Sequence, residues 1–441
     1  MTRWQWLLSR LLRKLWLRAT AYGVLGVLTA IVAIGAQHYL PWQPPELVGA
    51  DAVDSLLNII ASSMLAVTTF SLSTMTSAYS AATSNVTPRA TQLLIEDKVS
   101  QRVLSTFVGS FLFSIVGIIV LKTGAYGPSG RSVLFAVTVA VVALIVINLL
   151  RWIDHLTRLG RVGETTDRVE AAARDALKTR LAAPFLGGVA LLPSERTPPG
   201  GALTVEAAEI GHLQHIDMFA LSEIARTQDR DIFVLHNPGA FVSLDTALAW
   251  LGRPNAEGKS AEGEGADGEG AEEERAEGED VAREVRAAFT IGTGRSFDQD
   301  PRFGLAVMSE IGCRALSSAM NDSGTALDVI CRNTRLLAAW GSGEDLSAAD
   351  APEHPRVHVA RLTDQDLFED AFMMMARDGA GHVEIQLRLQ KNLAALSRIG
   401  SDSFRSAAIF QADQARRRAQ RALDFSGDLA RLDAAAQARG S

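Results

Sequence analysis

The side chains best suited to chemistry are concentrated between residues 292 and 340 of the 441-residue chain. Arginine, carboxylate, amide and hydroxyl groups recur there at short spacing: Arg295, Asp298, Asp300, Arg314, Asn321, Asp322 and Thr325. If they converged, they would form a polar pocket for a ligand. They also have a structural explanation, because aspartates cap helices and arginines pair with carboxylates. Both interpretations, a ligand cluster and a structural cluster, stay open.

The elements that must position this cluster follow from the hydrophobic periodicity. Residues 289–292 predict a strand, and residues 303–317 and 323–340 predict two helices separated by Asn321-Asp322-Ser323. Asp298 or Asp300 is expected to cap the first helix, with Pro301 near its first turn, and Asp322 or Ser323 to cap the second. The remaining predicted elements are strands at 211–217 and 231–236 and helices at 169–181, 218–227, 371–377, 383–399 and 404–436.

A second polar group lies inside an apolar segment, where hydroxyl side chains recur on one helical face: Ser62, Thr69, Ser73, Thr76 and Ser80. In hydrocarbon a hydroxyl must bond back to its own helix, bond to another helix, or face water in a cavity. The row therefore predicts either a helix-packing face or the lining of a pore. Arg89, which follows Thr87-Pro88, is expected at the cytosolic mouth of that helix.

Four apolar segments, at residues 20–37, 56–80, 103–121 and 132–150, are each about the ~20 residues needed to cross a bilayer. The expected fold is an α-helical membrane domain of four transmembrane helices (19–152) followed by a cytosolic α+β domain. Residues 1–18 carry Trp and Leu at helical spacing among arginines, which predicts an amphipathic interfacial helix.

Lysines and arginines flank the spans on one side, which places both termini in the cytoplasm of a bacterial cell with a multi-pass inner-membrane protein. The predicted cytosolic region consists of an α/β segment (153–254), a mostly helical segment (281–400) and a helical tail (401–441). Between the first two, residues 255–280 are mainly Glu, Gly and Ala. Such a composition cannot bury a core, so this insert is predicted to be disordered.

Composition argues against several functional classes. The net charge of −7 and the absence of a basic aromatic stripe argue against nucleic-acid binding. Cys313 and Cys331 have no His or Cys partners at metal-ligand spacing, so neither a metal nor another cofactor is expected. Isolated histidines such as His236 lack a nucleophile context, and an enzyme is the least supported class.

The chain resembles the bacterial predicted membrane protein family known as domain of unknown function 2254. The resemblance rests on Thr87-Pro88-Arg89, residues 97–107, 211–217 and 239–242, and most strongly on residues 292–304 and 314–326 with Arg295, Asp298, Arg314, Asn321-Asp322 and Thr325. Ser318 and Ser323 stand where the family pattern favours proline. The resemblance implies four spans and a cytosolic domain, and implies no established activity.

Two functional hypotheses follow. The first is an oligomeric channel or transport protein with a cytosolic regulatory domain, because four spans per chain enclose little by themselves. Its expected partners are the lipid bilayer, further copies of the chain, and a small ion or ligand. The alternative is a membrane-anchored scaffold or signalling protein without a pore, which is favoured by the lack of charged residues inside the spans.

Overall fold

The computed structural model describes residues 20–21, 23–24, 27–28, 50–95, 97–123, 128–158, 160–199, 202–252, 268–343 and 351–437. The chain divides into two compact units. We call Leu7–Thr165 the membrane unit and Thr166–Ser441 the C-terminal unit. The predicted interfacial helix at residues 1–18 and most of the predicted span at residues 20–37 lie outside the described residues.

From Ala50 onward the membrane unit contains helices α1 (Ala50–Asn85), α2 (Pro88–Ile95), α3 (Lys98–Lys122) and α4 (Pro128–Arg158). Among the described residues, three helices are long and apolar enough to cross a membrane: Asp51–Ser84, Val99–Lys122 and Gly130–Arg158. They contain the spans predicted at 56–80, 103–121 and 132–150. The count of four spans is not confirmed.

Large side chains hold α1, α3 and α4 together. The buried face of α1 presents Val53 and Leu57 to Phe113 of α3 and Leu134 of α4. Closer to the other end, Ile60 and Met64 join Phe107 and Trp152 in a second cluster. Gly117 permits close approach of α3, since a Cβ there would lie 3.1 Å from the Leu57 side chain. The apolar face of α1 is thus packed inside the membrane unit, and its hydroxyl-rich face is exposed.

From Val162, shortly before the C-terminal unit begins, the chain alternates helices with short strands. In chain order, its elements are α5 (Val162–Ala182), β1 (Val189–Ala190), a 3-10 turn (Pro193–Glu195), β2 (Leu203–Glu206), β3 (Gly211–Ile216), α6 (Met218–Thr227), β4 (Ile232–Val234), β5 (Phe241–Val242), β6 (Ala247–Leu251), α7 (Gly268–Ala287), β7 (Phe289–Gly292), α8 (Pro301–Ala315), α9 (Ser323–Gly343), β8 (Val357–Val359), α10 (Asp364–Phe368), a π-helical turn (Glu369–Met373), α11 (Met374–Asp378), α12 (Val383–Leu396), α13 (Asp402–Ala422) and α14 (Ser426–Gln437).

Two sheets organise this unit. The larger has the strand order β1-β8-β4-β6-β2, with β8 parallel to both β1 and β4 and the other pairs antiparallel. The smaller has the order β5-β3-β7 and is antiparallel, with Leu213 opposite Ile291. A core that includes Leu213, Val234, Val285 and Val359 lies among these elements. The coarse prediction of a helical membrane domain followed by an α+β domain is confirmed.

Three details differ from the sequence-based expectation. Residues 268–280, predicted as part of a disordered insert, belong to α7; Glu and Ala favour helix, and Val285 anchors the helix in the core. Strand β8 lies within the segment predicted to be mostly helical and joins it to the sheet of the preceding segment. The predicted helix 404–436 is two helices, because Leu423 adopts an extended conformation and packs against Leu432.

Candidate functional site

The predicted hydroxyl row of α1 lies on the exposed face of the membrane unit. Its five members, Ser62, Thr69, Ser73, Thr76 and Ser80, are all exposed. The side chains of Ser62, Thr69 and Thr76 donate to carbonyl oxygens one turn earlier, with distances of 2.9, 3.0 and 2.9 Å. Ser73 and Ser80 make no side-chain hydrogen bond among the described residues. The helix therefore satisfies part of the row by itself and leaves the rest available.

This row is part of a longer seam. Exposed residues spaced alternately three and four apart continue it in both directions: Ala52, Ser55, Ile59, Ser62, Ala66, Thr69, Ser73, Thr76, Ser80 and Thr83. Nine of the ten are Ala, Ser or Thr. Small residues at this spacing allow a second helix to approach closely, and hydroxyls can bond across such an interface. We call these ten positions the α1 seam.

Arg89 is the second residue of α2, which begins at Pro88. The hydroxyl of Thr87 caps this short helix by accepting from the backbone N–H of Ala90 at 3.3 Å. The Arg89 side chain is exposed. The turn through Thr87-Pro88 thus ends α1 and presents Arg89 at the start of the next helix.

A buried polar cluster in the membrane unit was missed by the sequence analysis. The Asp97 carboxylate caps α3, accepting from the backbone N–H of Ser100 at 2.7 Å and from its hydroxyl at 2.6 Å. His155 of α4 places Nε2 2.9 Å from the same carboxylate. An N-cap aspartate is a local signal that sequence could have indicated, whereas its histidine partner lies 58 positions away in the chain and gives no such signal.

In the C-terminal unit, Arg295 and Asp300 form a bidentate ion pair with Nε and Nη2 distances of 2.7 and 3.0 Å. The buried Asp300 carboxylate also caps α8 by accepting from the N–H groups of Arg302 and Phe303. Arg295 lies 5.2 Å over the Phe303 ring. Gly239 has φ +99, and a Cβ there would lie 2.2 Å from a carboxylate oxygen of Asp300. Glycine is therefore needed at position 239, because a larger residue would clash with the Asp300 carboxylate of this pair.

Asp298 lies beside the pair and bonds within its own loop. Its carboxylate accepts from the Ser296 hydroxyl at 3.2 Å, and its backbone N–H donates back to that hydroxyl. The loop preceding α8 is held in place by these bonds and by Gln299, whose side-chain oxygen accepts from the N–H of Ile216 at 3.0 Å.

Arg302 extends the cluster to the π-helical turn. It bonds to Asp370 at 2.6 Å and pairs with Asp366 at 3.1 Å. Although burial opposes it, the hydrogen bond and charge of Asp370 raise the pKa of Arg302. Carbonyls of the π-helical turn accept from buried side chains outside it: Ser309 donates to Asp370 and Ala371, and Asn333 donates to Ala371. The irregular turn that presents Asp370 is thereby stabilised.

The other predicted site residues lie at the opposite end of α8. Arg314 is in its last turn, whereas Asp300 is its N-cap; at 1.5 Å per residue these ends are about 20 Å apart. Asp322 accepts from the backbone N–H of Thr325 at 3.0 Å and from its hydroxyl at 2.6 Å, as expected for the start of α9. Asn321 adopts φ +47 in the preceding turn. The structure does not bring all seven residues into one pocket.

A cavity opens beside the Arg295 end of the cluster. It has a volume of about 310 Å³. Its charged and polar lining combines residues from four separate segments: Arg196, His236, Asn237, Arg295, Arg302, Arg361, Thr363 and Asp366. Arg196, His236 and Arg361 follow β1, β4 and β8, three strands that are adjacent in the larger sheet. Sequence reasoning missed these residues because only the strand order brings them together.

Metal binding and thiol chemistry find no support in the described part of the chain. No group of three or more His, Cys, Asp and Glu side chains there could hold a metal ion. Cys313 and Cys331 are free and half-buried. Burial raises the pKa of the Cys313 thiol, which disfavours the reactive thiolate.

Comparison with known proteins agrees with the membrane architecture. The chain is 24% identical over 252 residues to uncharacterized proteins of Mycobacterium bovis and Mycobacterium tuberculosis, covering 56% of this chain and 45% of each relative. The chain thus matches less than half the length of these relatives. No solved structure matches it. A family model described as "Predicted membrane protein (DUF2254)" matches residues 13–395, and the chain therefore belongs to this family of membrane proteins.

Proposed function

We propose that this membrane protein assembles through the α1 seam into a homo-oligomeric channel or transport protein of the bacterial inner membrane. Both termini lie in the cytoplasm, and the C-terminal unit regulates the membrane unit from there. The observation that carries the proposal is the seam itself: ten exposed positions in a membrane-crossing helix, nine of which are Ala, Ser or Thr.

The seam is better explained by a helix partner or water than by lipid. A lipid-facing surface gains nothing from hydroxyl groups, and the exposed positions of α1 outside the seam include the large apolar residues Leu65, Phe70 and Leu72. The hydroxyls without internal hydrogen bonds, at Ser73 and Ser80, stand one turn on either side of Thr76. In an oligomer these groups would bond across subunits or to water along the symmetry axis.

The test is ion flux through liposomes containing the purified protein. Ser73→Leu/Thr76→Leu should block flux or prevent assembly, because leucine fills a small-residue seam or narrows a pore. Ser73→Ala/Thr76→Ala should be mild, since alanine keeps the seam small. Oligomer size, measured by light scattering in detergent, separates a blocked pore from a failed assembly.

The matched control is Leu72, an exposed leucine of α1 that lies outside the seam. Leu72→Ala changes a neighbouring exposed position and should leave flux and oligomer size near wild type. If the leucine variant assembled normally and conducted like wild type, the pore would lose its main support.

The second candidate is a membrane-anchored scaffold or signalling protein. Its support is the lack of Asp, Glu, Lys and Arg in residues 56–80, 103–121 and 132–150. Ion pathways commonly place ionisable groups at membrane depth. Intact oligomers with no flux for any ion tested would favour this alternative.

A further inference from the structure

We propose that the C-terminal unit binds a small phosphate-bearing ligand in the cavity lined by Arg196, Arg295, Arg302 and Arg361. This binding site is independent of the pore proposal and could serve either of the functions above. The arginines around the cavity, their unused N–H donors and the size of the space all suit such a ligand.

Positive charge exceeds negative charge at the cavity. Four arginines line it, against a single carboxylate, Asp366. Two further carboxylates, Asp300 and Asp370, are paired with the lining arginines. These pairs hold Arg295 and Arg302 in place at the cavity wall.

A fifth cation lies behind the cavity. Arg180 is 2% exposed and donates to the Asn237 side-chain oxygen at 3.0 Å, and Asn237 lines the cavity. Its Nε is buried without a hydrogen-bond partner, and among the described residues no carboxylate forms an ion pair with it. Burial lowers the pKa of Arg180 to about 10, so it still carries its charge at neutral pH. Arg180 thus adds a buried positive charge next to a residue of the cavity lining.

Several guanidinium donors remain unused around the space. Arg295 bonds to Asp300 through Nε and Nη2, which leaves Nη1. Arg302 contacts its two aspartates through Nε and Nη1, which leaves Nη2. Arg196 forms no ion pair with any described residue and is exposed. These arginines are fixed or accessible, and their free N–H groups are suited to the oxygens of a phosphate.

The volume also suits a small ligand. At about 310 Å³ the cavity is at the lower end of the range for small-molecule sites. A phosphate or pyrophosphate group with a small attachment would occupy it. Because the phosphate could belong to a soluble compound or to a lipid headgroup, the experiment must distinguish these two sources.

The test uses the full chain purified in neutral detergent and titrated calorimetrically with pyrophosphate. We expect binding by wild type and at least about tenfold weaker binding by Arg196→Gln/Arg361→Gln, since each charge-assisted hydrogen bond contributes strongly. Arg196 and Arg361 are exposed, so the variant is expected to fold. Its thermal unfolding without ligand should match wild type.

Arg226→Gln is the matched control, because Arg226 is exposed, pairs with Glu223 and lies outside the cavity. It should bind pyrophosphate like wild type. A parallel titration with short-chain phosphatidic acid tests the headgroup source. The site is supported if either probe binds to wild type and to the control but binds more weakly to the double variant. The probe that binds then shows whether the phosphate belongs to a soluble compound or to a lipid headgroup. Absence of binding for both probes, equal affinities in the double variant, or equally tight binding of citrate would overturn the proposal.

Discussion

The hydroxyls of Ser62, Thr69 and Thr76 lie on the exposed face of α1 and bond to their own backbone. In the C-terminal unit, by contrast, the buried Asp300 bonds to the Arg295 side chain and the buried Ser309 bonds to the π-helical turn. The same polar chemistry thus serves two purposes. Buried polar groups fix the conformation of the chain that contains them. Exposed polar groups on an apolar helix add little to the stability of that chain, which favours a role in contacts with water or another chain.

Asp300→Asn should produce the largest loss of stability. The substitution removes the charge opposite Arg295 and disturbs the cap of α8. Since Arg295 is 20% exposed, solvent reduces the cost somewhat, and we expect a loss of about 3 kcal/mol in the free energy of unfolding. Thermal unfolding of the full chain in detergent measures it.

Asp298→Asn is the control for that measurement, because the Asp298 carboxylate accepts from the Ser296 hydroxyl, a bond that the side-chain oxygen of asparagine can also accept. It should cost less than about 1 kcal/mol. Equal losses of unfolding free energy for the two variants would mean that the buried ion pair contributes no more to stability than the Asp298 bond.

Asp97→Ala sharpens the comparison, because Asp97 is an inward polar group of the membrane unit. It caps α3 and contacts His155 of α4. Loss of such a cap costs about 1–2 kcal/mol. Thr69→Ala, which removes an exposed hydroxyl bonded to its own helix, should cost much less in the same unfolding assay. A larger loss for Thr69→Ala would reverse the assigned roles.

Sequence predicted the elements of this chain better than their assembly. The strand at 289–292 and the helix at 218–227 match β7 and α6 because their periodicity and flanking residues are local signals. Strands β1 and β8 have only two and three residues, so no alternation could reveal them. The N-cap role of Asp300 could be predicted from sequence, whereas the cavity could not, since Arg196 and Arg361 meet only through the parallel pairing of β8 with β1 and β4.

Cysteine cross-linking tests directly whether the exposed α1 seam contacts another copy of the chain. Ser73→Cys on the α1 seam should form a disulfide-linked dimer under mild oxidation if seams of two copies meet. Met75→Cys, on the buried face with 5% exposure, should not. Because Ser73 is exposed, its substitution should change subunit stability by no more than about 0.5 kcal/mol.

Leu72→Cys controls for random collision, since Leu72 is exposed but off the seam. Wild type gives the background from Cys313 and Cys331. Equal dimer yields for Ser73→Cys and Leu72→Cys would remove the seam as a specific contact.

The smallest expected effect concerns His236 at the cavity. Burial lowers the pKa of His236, and the nearby charge of Arg196 lowers it further, although a hydrogen bond with the backbone of Ala247 opposes both. The folded protein therefore holds this imidazole neutral where the unfolded chain would take up a proton. Its contribution to stability is complete above the unfolded pKa of about 6.5 and is lost as the pH falls below it.

His236→Gln should accordingly flatten the decline in stability between pH 7 and pH 5. The expected difference from wild type is roughly 1–2 °C in melting temperature at the acidic end. His354, whose pKa is also lowered by burial, is present in both proteins, so its contribution cancels. Pyrophosphate should reduce the effect in wild type, because an anion beside His236 favours its protonated form. An identical pH dependence with and without the substitution would show that the cavity does not hold this imidazole neutral.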